Sequence, residues 1–578
     1  MTTGTAPEAS ADSTSPTPGE KKSTQDDGVA RGSALMASGS LVSRVLGVVR
    51  MSLIAALFGV NTAAGDAWQV ASILPTTVYM LLAAGAINAI FVPQLTRAEQ
   101  SADGGKDFID RLLTLSFICL GVTTALTIPL APVLVSSFAS WPTDSPTFAL
   151  SVKFAYTVLP AIFFYGVYTV LGQVLNAKKM FGAYGWAPAL CNIVWLIGMG
   201  SFMILHPDVG TKLSDWSMSS IIIIGGSFTL GVTLQALILI VPLLRSGWRF
   251  HPKFGFRGIG LSSAGKVAGW TFAGIGVTQV ALAVSSQVLT SSTGSGLGKL
   301  GYDNAFFLFM TPHGLITVSL ATTLFTQMST AAARKNIYGV RTHLRRGLRL
   351  IGVALIPTTI AALCLANAGT SIVFSGNDIQ TTREVSQVFM LLSLALLPYG
   401  VMYLVQRVFY AFEDARTPFW LSFLAAVIFS IGSVAAVMLF GTEHRALGVA
   451  AAAVASDIVA ALVGLRWVGQ RLDDMPMIDV WESWTRALFA SLTAGLGTLL
   501  VVGILQWLLP DRFGALLTLV LGGAAFLVIY VVSARWLWIR DLNDLLGPLL
   551  RRVEGLSRKK TGVQHDAASG SRKGAHRA

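Results

Sequence analysis

Charge is what this chain has little of. Asp, Glu, Lys and Arg make up 12% of its 578 residues, against about 25% in a soluble globular domain, so half of the usual solubilising charge is missing. Cysteine is scarce as well. Cys119, Cys191 and Cys364 each sit inside an apolar run and none forms a Cys-x-x-Cys pair, which argues against a disulfide framework and a paired-cysteine zinc site. There is no His-Glu-x-x-His segment and no Gly-x-x-x-x-Gly-Lys-Ser/Thr loop, so zinc hydrolysis and phosphate-loop chemistry have no foothold. The few histidines lie mainly near the ends of apolar runs or in the tails, and no obvious catalytic group stands out.

What is there is hydrocarbon. Hydrophobic residues make up 53% of the chain and the mean hydropathy is +0.64. A helix crossing about 30 Å of lipid needs about 20 apolar residues. Such runs lie at 33–59, 66–93, 109–138, 150–175, 182–205, 219–244, 264–291, 303–330, 347–374, 385–412, 418–440, 447–470, 484–509 and 513–539. The expected fold class is therefore an all-α polytopic membrane protein of about fourteen spans. Pro75, Pro160, Pro188, Pro312 and Pro398 fall inside spans, where neighbouring helices or a cavity must satisfy the freed backbone groups.

The net charge of +13 belongs to short loops and the C-terminal tail rather than to a nucleic-acid surface. With the N-terminus inside, the cytoplasmic loops hold Arg97, Lys106 and Arg111; Lys178 and Lys179; Arg245, Arg249, Lys253 and Arg257; Arg334, Lys335, Arg341, Arg345 and Arg346; Arg416; and Arg466, Arg471 and Arg486. The other side holds only scattered cations, among them Lys153, Lys212, Lys299, Arg383, Arg445 and Arg512. That bias is the positive-inside pattern, and an even number of spans brings both termini into the cytoplasm.

An internal echo divides the spans. YGVYTVLGQVLNA at 165–177 matches YGVMYLVQRVFYA at 399–411 at Tyr165/Tyr399, Gly166/Gly400, Val167/Val401, Val174/Val408 and Ala177/Ala411. The offset of 234 also pairs Phe91 with Phe325 and Thr96 with Thr330. Span four thus answers to span ten and span two to span eight, giving two six-span halves in one orientation, a recurrent transporter plan. The expected organisation is a disordered tail over 1–32, an N-lobe over 33–244, a cytoplasmic linker over 245–263, a C-lobe over 264–470, an appended pair of spans over 484–539 and a basic tail over 540–578.

The first span places Arg44 and Arg50 in an otherwise apolar helix, where each charge costs several kcal/mol to insert. Six residues turn a helix by about 600° and advance it about 9 Å, so both guanidiniums can face one wide cavity. Guanidinium forks match phosphate oxygens, which makes the pair a candidate site for an anionic, phosphate-bearing substrate. Snorkelling and structural pairing are the alternatives. Asp66 opens span two, as a cavity acid or a simple helix cap. Arg407 lies within span ten, lining the cavity or snorkelling. Asp457 is a lone acid in span twelve, a cation site or a partner for an arginine. Tyr79, Asn88, Gln173, Asn192, Gln279 and Gln287 read first as helix–helix hydrogen bonders. The Gly/Ser-rich stretch from Ser291 to Gly298 reads as a flexible loop.

At these residues a family resemblance emerges. Ser43-Arg44-Val45-Leu46-Gly47 with Arg50, then Phe58-Gly59, Asp66-Ala67, Leu74-Pro75, Gly85-Ala86 and Phe91-Val92-Pro93, resembles the start of the lipid II flippases called MurJ or MviN. Phe409-Tyr410-Ala411 with Arg416-Thr417-Pro418 resembles that family's tenth span and following loop. The resemblance implies the multidrug/oligosaccharidyl-lipid/polysaccharide exporter fold: two six-helix lobes around a central cavity, with two extra helices forming a groove for a lipid tail. It implies as substrate the undecaprenyl-diphosphate-linked disaccharide pentapeptide of peptidoglycan synthesis, in the bacterial cytoplasmic membrane. It carries a substrate-binding role onto Arg44 and Arg50, and onto Asp66 and Arg407. Membrane lipids and cell-wall synthesis or division proteins are the implied partners. No cofactor and no catalysis are implied; coupling to an ion or to the membrane potential is left open. The sequence departs from the family at Tyr79 and Phe307, where relatives carry arginine, and at Ala84, where they carry glutamate. Rival readings are an exporter of drugs or another polyprenyl-linked glycan, a non-transporting scaffold of the wall machinery, and a membrane enzyme acting on lipid phosphates.

Overall fold

The computed structural model describes residues 18–98, 106–178, 180–207, 212–255, 265–509 and 511–544, with helical side chains at 18–34, 37, 82–98, 181 and 265–268 left out. Residues 1–17 and 545–578 of the expected tails and 256–263 of the linker fall outside the described residues, whereas 18–32, expected to be disordered, form the first turns of a helix that runs on into the first span. Every regular element among those described is helical. The first six spans are α1 (Pro18–Phe58), α2 (Ala63–Ala98), the pair α3 (Lys106–Thr127) and α4 (Ala131–Phe138), the pair α5 (Pro146–Val158) and α6 (Ala161–Ala177), α7 (Phe181–Leu205), and the pair α8 (Met218–Leu237) and α9 (Ile240–Arg245). The next six are α10 (Gly265–Thr290), α11 (Lys299–Pro312) with α12 (Val318–Ala333), α13 (Ile337–Val373), α14 (Ile379–Ser393) with α15 (Leu396–Ala411), α16 (Arg416–Leu439) and α17 (Arg445–Arg471). The helices α18 (Ile478–Leu508) and α19 (Arg512–Trp536) follow.

Among the described residues, twelve stretches are long and apolar enough to cross a membrane, and α14 with α15, bent by 45°, makes thirteen. The helix α2 fills the remaining expected position, but its side chains are described only in its first half, so the count of fourteen rests there on the sequence.

The two halves repeat one packing scheme. In the first, α7 packs on α1 and on α8, and the broken span α5–α6 packs on α2 and α8. In the second, α16 packs on α10 and on α17, and the broken span α14–α15 packs on α11–α12 and α17. The breaks correspond as well: Leu159–Pro160 in span four and Leu394–Ala395 in span ten. Pro160 has no N–H for the preceding turn, whereas Pro398 sits in the first turn of α15, where no donor is needed. Tight crossings use small residues. A Cβ on Gly39 would lie 2.5 Å from the Gly185 carbonyl oxygen, so only bare backbone lets α1 and α7 meet there.

We call the end of the bundle where α1 begins the near end and the opposite end the far end. The N-lobe is held at its far half by Phe58, Trp68, Phe154, Trp195 and Trp216, with Phe58 stacked on Trp216 at 4.8 Å between ring centroids. The last turns of α1 reach beyond this core. Met51, Ala55 and Val60 are buried among Leu289, Tyr302, Phe309 and Phe374 of the C-lobe. The appended pair α18–α19 packs on α13. Trp484 Nε1 donates to the Leu348 carbonyl at 2.8 Å and Tyr530 Oη to that of Val353 at 2.7 Å. Arg345 and Arg349 of α13 pair with Asp479, and Arg349 also pairs with Asp541. The outer faces of the pair, including Leu496, Leu500, Val528 and Val532, are exposed and apolar, as a surface facing lipid requires.

Candidate functional site

Between the lobes lies a cavity of about 450 Å³ lined by α1, α6, α7, α8 and the eighth span. Arg44 and Arg50 both line it, so the residues whose insertion is costliest face a common space. At 1.5 Å per residue, Arg50 lies about 12 Å and Arg44 about 21 Å from the far end of α1 at Phe58, placing the pair through the middle of the bundle. Arg50 Nη1 donates to Asn192 Oδ1 at 2.7 Å, and its guanidinium lies 4.6 Å from the centre of the Trp195 ring. Asn192 is held in turn: its Nδ2 donates to the Ser43 carbonyl at 3.0 Å and to Ser43 Oγ at 3.1 Å. Arg50 Nε is buried and has no partner. Arg44 donates from Nη2 to the Gly314 carbonyl at 3.4 Å. Among the described residues no Asp or Glu lines the cavity; its other polar groups are Ser43, Tyr165, Cys191, Asn192, Gln235 and Thr311. Two cations with no carboxylate beside them leave the cavity positive and able to take an anion with several oxygens.

Asp66 is not among the lining residues. Its carboxylate is buried at the far end, where Oδ1 accepts the Leu300 N–H at 2.9 Å and Oδ2 the Thr293 hydroxyl at 2.6 Å. The expected cavity acid therefore spends its oxygens on the α11 start and on the loop before it. That loop, expected to be flexible, is instead fitted around the carboxylate, since a Cβ on Gly298 would lie 2.0 Å from Asp66 Oδ2. Gln69 donates to Asp303, which also pairs with the buried Lys299. Asn377 joins the C-lobe to the Val60 N–H at 3.0 Å and the Ala55 carbonyl at 3.1 Å. Thr290 Oγ1 accepts the Ser140 N–H at 2.9 Å, and Gln287 reaches the Ser136 carbonyl at 2.7 Å. Away from this end, the described hydrogen bonds between lobes are those of Arg44 to Gly314 and Gln279 to the Met80 sulfur. The cavity is thus sealed on its far side.

Arg407 is not among the lining residues either. Its Nη2 donates to Tyr403 Oη at 2.6 Å, and Tyr403, Phe325 and Tyr410 surround the guanidinium at 4.5, 5.8 and 5.9 Å. It is a cation held by aromatic faces, with no carboxylate within ion-pair distance among the described residues. Asp457 pairs with no arginine there; it lies within electrostatic reach of Tyr302 and Tyr399. Tyr79 bonds Thr169 and Phe307 lines the cavity beside Gly47, so neither position supplies a cation. Sequence reasoning missed Trp195 and the Gly314 carbonyl. An aromatic in an apolar helix carries no signal of its own, and a backbone acceptor carries none except through Pro312 nearby.

With the geometry in place, three comparisons bear on the chain. A family model described as "Lipid II flippase MurJ" matches residues 54–523. A lipid II flippase MurJ of Burkholderia cenocepacia is 26% identical over 476 residues, covering 81% of this chain and 88% of that one. A probable lipid II flippase MurJ of Buchnera aphidicola is 24% identical, covering 72% and 79%. Among solved structures, a lipid II flippase MurJ in an inward closed conformation superposes with a TM-score of 0.66 at 20% identity, covering 87% of this chain and 99% of that one. An inward-facing multidrug transporter of the MATE family superposes with a TM-score of 0.61 at 14% identity, covering 74% and 94%. At those identities the two superpositions speak to the fold alone.

Proposed function

The chain belongs to the lipid II flippase MurJ family, and from that premise we propose that it carries lipid II from the inner to the outer leaflet of the bacterial cytoplasmic membrane by alternating access, leaving the substrate chemically unchanged. The observation that carries the proposal is the cavity itself. Arg44 and Arg50 face it from α1 and no carboxylate among the described residues neutralises them, which suits the diphosphate of a polyprenyl-linked sugar. The basic loop residues Arg111, Lys178, Arg245, Arg249, Lys253, Arg334 and Lys335 gather at the near end, so the positive-inside rule favours the near end as cytoplasmic. The far-end seal then leaves the cavity in a loading state. The diphosphate replaces Gly314 and fills the open donor of Arg50, while the polyprenyl tail stays in lipid along the apolar faces of α18 and α19. Parting of the Asp66 and Asn377 contacts, as the lobes rock, opens the other side.

Energy is available without a nucleotide. An anion leaving a cytoplasm at negative potential moves downhill by about 2.3 kcal/mol per charge per 100 mV. Ion coupling, with Asp457 as its unpaired acid, is the alternative source. The basic segment over 540–578 serves as an electrostatic anchor to anionic lipid, or as a docking site for wall-synthesis proteins. The decisive test reconstitutes the protein in liposomes with fluorescent lipid II and measures its appearance in the opposite leaflet, with recovered lipid checked for chemical change. Wild type is expected to move intact lipid II, and R44A and R50A to fail. Undiminished transport by both variants would point to a different cargo site, and altered product would point to an enzyme.

A further inference from the structure

Between α11 and α12 the eighth span widens into one π-turn, His313–Thr317, directly after Pro312. The Val318 N–H reaches back five residues to the His313 carbonyl. Such turns cluster at functional positions, and this one faces two ways. Toward the cavity it presents Gly314, whose carbonyl accepts from Arg44 and where a Cβ would lie 2.7 Å from Arg44 Nη1. Toward the C-lobe it presents His313, which is 2% exposed and meets the rings of Tyr399 and Tyr403 edge to face at 4.6 and 5.4 Å. The substrate-binding arginine and the helix α15 are therefore linked through a single turn.

Two polar atoms of this turn are buried and unpaired: His313 Nδ1 and Thr317 Oγ1. Thr317 Oγ1 faces α15, 3.3 Å from where a Cβ on Gly400 would be, and the His313 ring packs on Tyr399 and Tyr403 of the same helix. An unpaired buried polar atom lowers stability, and Phe and Val would fill the same space without that loss. Packing alone thus does not account for these residues, and α15 begins just after the 45° bend from α14, a break about which it can pivot. The Tyr403 hydroxyl accepts from Arg407 and keeps its own proton to donate.

We propose that the contact of the π-turn with α15 is remade between the two states of the transport cycle, and that His313 is a positioning residue for Arg44. In the far-end-open state α15 shifts along the turn. His313 Nδ1 then accepts from Tyr403 Oη, and Thr317 donates to a backbone carbonyl of α15. The displaced turn withdraws Gly314 from Arg44. The inference rests on the reading of the cavity as the anion site.

The test uses H313F and T317V, with Cys119, Cys191 and Cys364 replaced by Ala and a reporter cysteine pair, S140C and T290C, across the far end. Both variants are expected to raise Tm, raise the disulfide yield of the reporter pair and leave lipid II binding intact. Translocation is expected to slow about tenfold, the effect of favouring one state by one buried hydrogen bond. H313N, whose Oδ1 stands near the place of Nδ1, is expected to restore translocation. Unchanged disulfide yield and unchanged translocation would overturn the proposal, as would equal loss in H313F and H313N. Should H313F fail to fold, T317V carries the same expectations. Wild type that does not move lipid II sinks the function reading instead, and the disulfide yields then decide the state shift alone.

Discussion

At the scale of single residues, the site is a matter of what each arginine is allowed to keep. Arg50 is oriented by Asn192 and Trp195, yet holds one buried N–H in reserve. Lysine offers neither the fork nor the flat face. R50K is therefore expected to weaken lipid II binding about 10- to 100-fold, the worth of one charge-assisted hydrogen bond, with little change in Tm. N192A acts one step back: it removes the acceptor of Arg50 and the brace to Ser43, and binding is expected to fall about tenfold. Titration of each variant with fluorescent lipid II in detergent checks both, and unaltered affinity in R50K would remove Arg50 from the site. That Arg44 and Arg50 line a cavity was legible in the sequence because a charge inside twenty apolar residues has few cheap explanations. Asp66 was not legible in the same way. An acid at a helix start looks alike whether it caps its own helix, faces a cavity or binds another helix, and only the fold brings Leu300 and Thr293 to it. His313 departs from the general placement of histidines at span ends, because only the π-turn shows that it is buried at mid-span.

At the scale of elements, the internal repeat made the pairing of the halves readable: the shared offset matches span four to span ten, and in the fold both are broken, as α5–α6 and α14–α15. The closure between halves was not readable, since it is made by loops whose sequence signals only flexibility. Ser291–Gly298 is held because Asp66 takes the Thr293 hydroxyl within it and the Leu300 N–H just after it, and Gly298 is required there by space. G298A is accordingly expected to push the loop from the carboxylate and destabilise the far-end seal by about 1–3 kcal/mol, the cost of an unpaired buried acceptor. Increased modification of a cysteine placed at Thr293 by a membrane-impermeant thiol reagent measures this, and equal labelling in G298A and its parent would refute it. The appended pair depends on a different kind of contact. Asp479 receives both Arg345 and Arg349, each partly exposed. D479N should therefore lower the stability of the α13–α18 contact by about 1–2 kcal/mol, between surface and buried ion pairs. A lowered Tm at low salt that converges on wild type at high salt is the expected signature.

At the scale of the whole molecule, the two lobes share one seal and one cavity, and transport requires that the seal part while the cavity holds its anion. Every described hydrogen bond between Ser140 or Trp141 and the C-lobe lies at that seal. A disulfide between S140C and T290C would hold the far end shut without touching Arg44 or Arg50. The oxidised protein is expected to bind lipid II with wild-type affinity and to move none, and reduction is expected to restore movement. Retained transport in the oxidised form would mean that the lobes need not separate there, and alternating access would have to give way to passage along the outer faces. Loss of binding along with transport would mean that the cavity is not reached from the near end. Binding without movement, reversed by a reductant, is the one result that assigns the two halves of the function to the two places proposed for them: the anion to the arginines of α1, and the cycle to the far-end contacts.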